Sequence, residues 1–239
     1  GVLLNLGPRI GKYNEDGSAN EIEGHSLVSS FIGLLMLIVG FFGFLGACLI
    51  WAGADLGGWV NIYGAPATLS SFAFNTLMGL AGGMIGAFWW SKGNPFWMMS
   101  GGLAGIFICA GGLDIWYPGF AFVLGIIAGC VIIPANNWLH NTFKIDDCVG
   151  AVSIHGVAGV LGVLAVGIFA AGYPSAGDIP PTSFVGQLVG CIVMVLTGLI
   201  PGYVISFIMK SMGWLRVPDE VQAAGIDSAE LNLRAYADK

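Results

Sequence analysis

Residues 24–54 read GHSLVSSFIGLLMLIVGFFGFLGACLIWAGA, without one Asp, Glu, Lys or Arg. A run of roughly 20 such residues is enough to cross the hydrocarbon core of a bilayer as a helix. Five further charge-free runs follow, at 56–91, 93–113, 115–143, 148–177 and 179–209. Lipid offers the backbone no hydrogen-bond partner, so each run must be a helix or a strand of a closed barrel. Barrel strands are about half as long and alternate in polarity; these runs do neither. The fold class is therefore all-α, a polytopic membrane bundle of about six transmembrane helices.

Composition agrees. Apolar residues make up 56% of the chain and charged residues 9%, against roughly 25% charged in soluble domains. Mean hydropathy is +0.83. The net charge of −6 excludes nucleic acid as a partner, because phosphate binding needs a basic face. The five cysteines show no metal-type pairing, and buried thiols of apolar character are the expectation for them. No nucleophile–base pair, ligand set or cofactor motif appears, so neither an enzyme nor a cofactor is expected.

The basic residues set a direction. Arg9 and Lys12 precede the first run, Lys92 and Lys144 fall in alternate connections, and Lys210, Arg216, Arg234 and Lys239 follow the last. With six crossings, all eight lie on one side. Asp55, Asp114 and Asp178 mark the opposite loops. Under the positive-inside rule both ends face the cytoplasm. Expected spans are 27–53, 67–91, 96–113, 118–136, 149–172 and 181–210, inside a bundle at 24–210, with a cytoplasmic tail at 211–239. Residues 1–23 are expected to be the end of a preceding helix and a cytoplasmic loop. GVLLNL at 1–6 is apolar and breaks at Gly7-Pro8, too short to cross alone. It reads as the end of a helix begun upstream, or else as a free amphipathic lead-in.

Thirty-nine glycines exceed the usual ~7%. Pairs at four-residue spacing (Gly79 and Gly83, Gly101 and Gly105, Gly125 and Gly129, Gly186 and Gly190) predict helix backbones in close approach. Among polar residues inside spans, His155 stands out in DDCVGAVSIHGVAGVLG, 146–162. It lies roughly 13 Å beyond Asp146-Asp147 along a helix, near mid-bilayer. A neutral imidazole there can pass a proton or tie two helices together. Phe41, Phe44 and Cys48 share one helix face, suited to holding a partly desolvated cation or simply to packing. Asn75-Thr76 is expected to bond between helices.

Seven segments together resemble the second half of the ammonium transporter (Amt/Mep/Rh) family: GPRIGKY at 7–13, GHS at 24–26, FFGFLGAC at 41–48, FNT at 74–76, GGLAG at 101–105, DDCVGAVSIHGVAG at 146–159 and LRVPDEVQAAGID at 215–227. The likeness runs from the end of that family's fifth helix through its cytoplasmic tail. It implies half of an eleven-helix, two-half fold, a homotrimer with one pore per subunit, and a plasma (cell inner) membrane location. It implies that ammonium is recruited at an outer aromatic site, passes a phenylalanine gate and is deprotonated beside two pore histidines. His155 matches the second histidine and Phe44 one gate residue; the remaining pore residues belong to an N-terminal half that these 239 residues do not include.

Departures from the family pattern concern the outer site. Phe41 stands for Trp, Leu45 for Asn, Ala47 for Gly and Cys48 for the recruitment Ser, a weaker hydrogen-bond partner. Ala110 stands for a pore-side Thr and Ser100 for Asn. Leu231-Asn232 replaces His-Gly in the tail, which in the family docks on the neighbouring subunit and takes part in coupling to cytoplasmic nitrogen regulators. The expected function is ammonium or ammonia transport. The alternatives are a poorly conducting transporter-derived sensor or structural membrane-complex subunit, and a channel for another small neutral solute.

Overall fold

The computed structural model describes residues 1–51, 67–173 and 180–233; for 49–51 only the backbone is considered. Asp55, Asp178, Arg234 and Lys239 lie outside the described residues, as do residues 52–53 at the end of the first expected span. The elements are α1 (Val2–Leu6), α2 (Leu27–Trp51), α3 (Leu69–Ser91), α4 (Pro95–Cys109), α5 (Pro118–Phe143), α6 (Ala158–Phe169), α7 (Phe184–Ser211), α8 (Asp219–Ala224) and α9 (Ile226–Ala229). A 3₁₀ turn at Ala110–Gly112 follows α4, and a π-helical turn at Val152–Val157 leads into α6. Among the described residues there is no strand, only one isolated bridge between Tyr13 and Ala19. Among the described residues, six helices are long and apolar enough to cross a membrane. The all-α bundle expected from the charge-free runs is what forms.

Local signals set several ends. Thr68 and Ser71 form a capping box at the start of α3. Asn94 caps α4 with Pro95 in its first turn. Helix α5 does not stop near residue 136; it carries Pro134 internally and continues to Phe143. The fifth span, expected from 149, becomes regular only after the π turn.

The chain divides into two compact units. One comprises Gly1–Ile22, Leu139–Asp147 and Val195–Lys239; the other comprises Glu23–Trp138 and Cys148–Met194. In the second, α3 is the centre, and glycine lets its neighbours reach its backbone. A Cβ on Gly83 would overlap the Gly101 carbonyl of α4, and one on Gly105 the Gly79 carbonyl. On the other side, Cβ atoms on Gly125 and Gly129 of α5 would strike the carbonyls of Gly79 and Gly83. Gly162 brings α6 equally close to Ile108 of α4. The first three predicted pairs are thus helix crossings. The fourth forms no crossing among the described residues: a Cβ on Gly190 would meet nothing within 4 Å, and one on Gly186 only its own Ser183.

Buried polar groups add specificity here. Asn75 Nδ2 donates to the carbonyls of Leu113 and Trp116, both at 2.8 Å, tying α3 to the connection between α4 and α5. Thr76, expected to bond between helices, instead donates to Phe72 O of its own helix. The cysteines divide as well. Cys109 and Cys191 are buried, whereas Cys48 and Cys148 are exposed, which corrects the expectation of burial for those two.

The first unit is held differently. Gly1 and the turn after it lie against the α7 backbone at Leu199 and Tyr203. Asn5 Nδ2 donates to Tyr203 O (3.0 Å) and Ser206 Oγ (2.8 Å). Arg216 Nη1 donates to the carbonyls of Leu6, Gly7 and Pro8, where the end of α1 leaves its acceptors unused.

Candidate pore-lining site

His155 sits inside the π-helical turn. Gly150 opens the turn at φ +73°, in the left-handed region that glycine takes without a Cβ penalty. Its carbonyl then accepts from Ile154 N (2.8 Å) and from the buried Ser153 Oγ (2.9 Å). Widened turns of this kind inside helices concentrate at functional sites. Here the wider turn decides where the imidazole points. Its ring stands 4.2 Å from the Phe107 ring of α4, tilted by 62°, and Phe107 in turn meets Phe41 of α2 edge-on at 5.0 Å. Three helical elements therefore contribute one row of rings, Phe41–Phe107–His155.

The predicted residues fall unevenly around this row. Phe41 and His155 belong to it, joined through Phe107, which the sequence reading missed. Phe107 lies within an unbroken apolar run, and no local feature separates it from Ile106 or Ile108. Phe44, expected beside Phe41, is 63% exposed. It lines a shallow apolar groove with Gly33, Met36, Leu37, Gly40 and Phe41. Cys48 is exposed, and its thiol donates to Phe44 O at 3.4 Å, so it is turned onto its own helix. Ala110 is half-buried in the 3₁₀ turn, one turn along from Phe107. The single face expected for 41, 44 and 48 thus divides into a packed inner member and two exposed outer ones. His155 is exposed too. Among the described residues no group of His, Cys, Asp and Glu could hold a metal ion.

In the other unit, two distant motifs meet. Arg9 of GPRIGKY grips Asp146 of the acidic pair through Nε (2.8 Å), Nη2 (2.9 Å) and its backbone N–H (2.9 Å). Burial pushes the Asp146 carboxyl up, but the Arg9 bonds and charge outweigh it and hold the group below its ordinary value. Lys12, buried, donates to Asn20 O at 2.9 Å. Asp147 N–H donates to His140 Nε2 at 3.2 Å, and Tyr13 Oη donates to His140 O. Burial, and secondarily the Asp146 charge, push the Tyr13 phenol up. This network fixes residues 145–147, the start of the segment that carries His155.

Such a bundle of six apolar helices defines a polytopic membrane protein. Comparison with known proteins makes this specific. The model of the Ammonium Transporter Family matches residues 1–236. Ammonium transporter Amt1 of Haloferax mediterranei is 31% identical over 240 residues, covering 97% of this chain and 45% of the relative. Ammonium transporter Amt1 of Methanocaldococcus jannaschii is 31% identical over 237 residues, covering 98% and 56%. A solved structure named Sensor Amt Protein superposes with a TM-score of 0.80 at 30% identity, over 96% of this chain and 55% of that one. The chain belongs to the ammonium transporter family, and it spans about half the length of the curated relatives it matches.

Proposed function

We propose that this chain, together with the rest of its subunit, carries ammonium or ammonia across a membrane, and that Phe41, Phe107 and His155 line the route. The observation that carries the reading is the ring row itself. A bare ammonium ion is costly to move into a low-dielectric interior, whereas neutral ammonia is not. Aromatic faces stabilise the cation while it sheds water. A neutral imidazole can accept the proton that must leave and return it. Phe44 and Cys48 lie on the outer part of the same helix in this reading, at the recruitment end, and Ala110 beside the route.

The sidedness of the basic residues supports cytoplasmic ends in a plasma (cell inner) membrane. The family supports a homotrimer and a nitrogen-regulatory protein as partner of the tail. The test is flux of ammonium and methylammonium through the full-length subunit reconstituted in vesicles. Wild type conducts, and His155→Ala changes the rate and its dependence on pH; no flux from correctly assembled protein would sink the proposal.

One alternative has its own support. Cys48 turns its thiol onto Phe44 O, leaving a weak recruitment group, and the solved relative carries the name of a sensor. A sensor or structural subunit binds ammonium and changes conformation without flux, which the same vesicles distinguish.

A further inference from the structure

Of the eight basic residues, only Lys92 falls within the unit made of Glu23–Trp138 and Cys148–Met194. It ends α3 in a left-handed conformation, φ 55° and ψ 38°, with its N–H closing on Phe88 O. Its side chain is exposed, and neither the Arg9–Asp146 nor the Arg216–Asp219 ion pair involves it. Asp114 lies beyond the far end of α4, whose 15 residues rise about 22 Å. A cation at a helix C-terminus suits the dipole, but that does not explain its surroundings. Phe88, Trp89 and Trp90 lie two to four residues before it, separated from it by Ser91, and are exposed by 48%, 63% and 54%.

Consecutive helix residues stand about 100° apart, so these three rings spread over an arc of about 200° around the end of α3 and do not share one face. A protein docking against one face would leave at least one of them bare. A bilayer interface would cover them all. Indoles favour that depth because the ring is apolar while its N–H seeks a polar partner. On the far side of the turn, α4 begins under the Asn94 cap, with Phe96 and Trp97 edge-to-face at 5.6 Å.

We propose that the α3–α4 turn is a docking surface for an anionic phospholipid. The Lys92 ammonium takes the head-group phosphate, and Trp89 and Trp90 flank the glycerol and upper acyl chains. Charge complementarity selects the occupant: an unpaired cation at membrane-surface depth prefers a net negative lipid over a zwitterionic one. The surface also adjoins the start of the turn that carries His155, because Trp97 Cζ3 lies 3.5 Å from where a Cβ on Gly150 would stand.

The experiment uses full-length protein in vesicles containing phosphatidylglycerol or phosphatidylcholine brominated on the acyl chain. The signal of Trp89 and Trp90 is the difference between wild type and W89F/W90F. Brominated phosphatidylglycerol is expected to quench it about fivefold more effectively at equal mole fraction. K92Q brings that ratio close to one, and K92R retains it. Equal quenching by both lipids in wild type, a preference that survives K92Q, or indoles that neither lipid quenches would each overturn the proposal.

Discussion

The two compact units solve the problem of holding helices together by different physics. In the glycine-rich unit, α3, α4, α5 and α6 meet backbone to backbone, and few charged groups take part. In the other unit, Arg9 with Asp146 and Arg216 with the Pro8 carbonyl link segments far apart in sequence, while Lys12 with Asn20 and Asp147 with His140 brace the loops locally. Between helices in lipid there is no hydrophobic gain from burying leucine against leucine, so close packing and dispersion must provide the adhesion. Where water is near, ion pairs and hydrogen bonds can specify loop positions without stranding a charge in hydrocarbon. The site follows this division. The rings of Phe41, Phe107 and His155 hang on the rigid glycine crossings. Residues 145–147, which precede the His155 turn in sequence, belong to the polar unit.

The largest effect should come from breaking a crossing. Gly83→Val puts side-chain atoms into the Gly101 carbonyl, with α5 equally close on the other side. A loss of about 3 kcal/mol or more is expected, read as reduced yield of folded protein and a lower melting temperature in detergent. Gly190→Ala, at a position with nothing within 4 Å among the described residues, should leave both unchanged; equal tolerance at the two positions would show that the crossings are not tight.

Next in size is the polar clamp. Asp146→Asn removes a charge that Arg9 holds in three hydrogen bonds, at a cost of roughly 2–3 kcal/mol because Arg9 is partly solvated. It should appear as faster hydrogen exchange in residues 7–22, and the double variant with Arg9→Ala should add little to either single one. The pH dependence follows from the carboxyl being held below its ordinary value. Its contribution is complete above about pH 4 and is lost as pH falls through the depressed folded value. Acid-induced exchange in this segment should therefore set in below about pH 4 in wild type and flatten in Asp146→Asn.

The smallest of the three sharpens the boundary between the two physics. Asn75 is a polar group inside the glycine unit, and Asn75→Leu leaves the Leu113 and Trp116 carbonyls without their donor. A loss of about 1–2 kcal/mol is expected, seen as a modest fall in melting temperature with the crossings intact. No change would mean that the α4–α5 connection is held by packing alone.

Much of this was legible along the chain, and the reasons differ by residue. The spans were legible because a charge inside lipid is so costly that its absence over 20 residues is informative. His155 was legible for the same reason, as an ionisable ring in an apolar run. Gly186 and Gly190 meet no second helix among the described residues, because small residues permit a close crossing but do not supply the partner. Cys48 looked like a forward-facing recruitment group, yet its thiol found the carbonyl one turn back.

Sequence alone determined the all-α membrane class and the six helices apolar enough to cross, since each follows from the cost of putting charge or unpaired backbone in hydrocarbon. Tertiary structure decided which glycines are contacts, that Arg9 meets Asp146, and that Phe107 stands between Phe41 and His155. Those depend on which helix lies beside which, and on a turn widened to π geometry over Val152–Val157. Periodicity within a single helix carries no record of either.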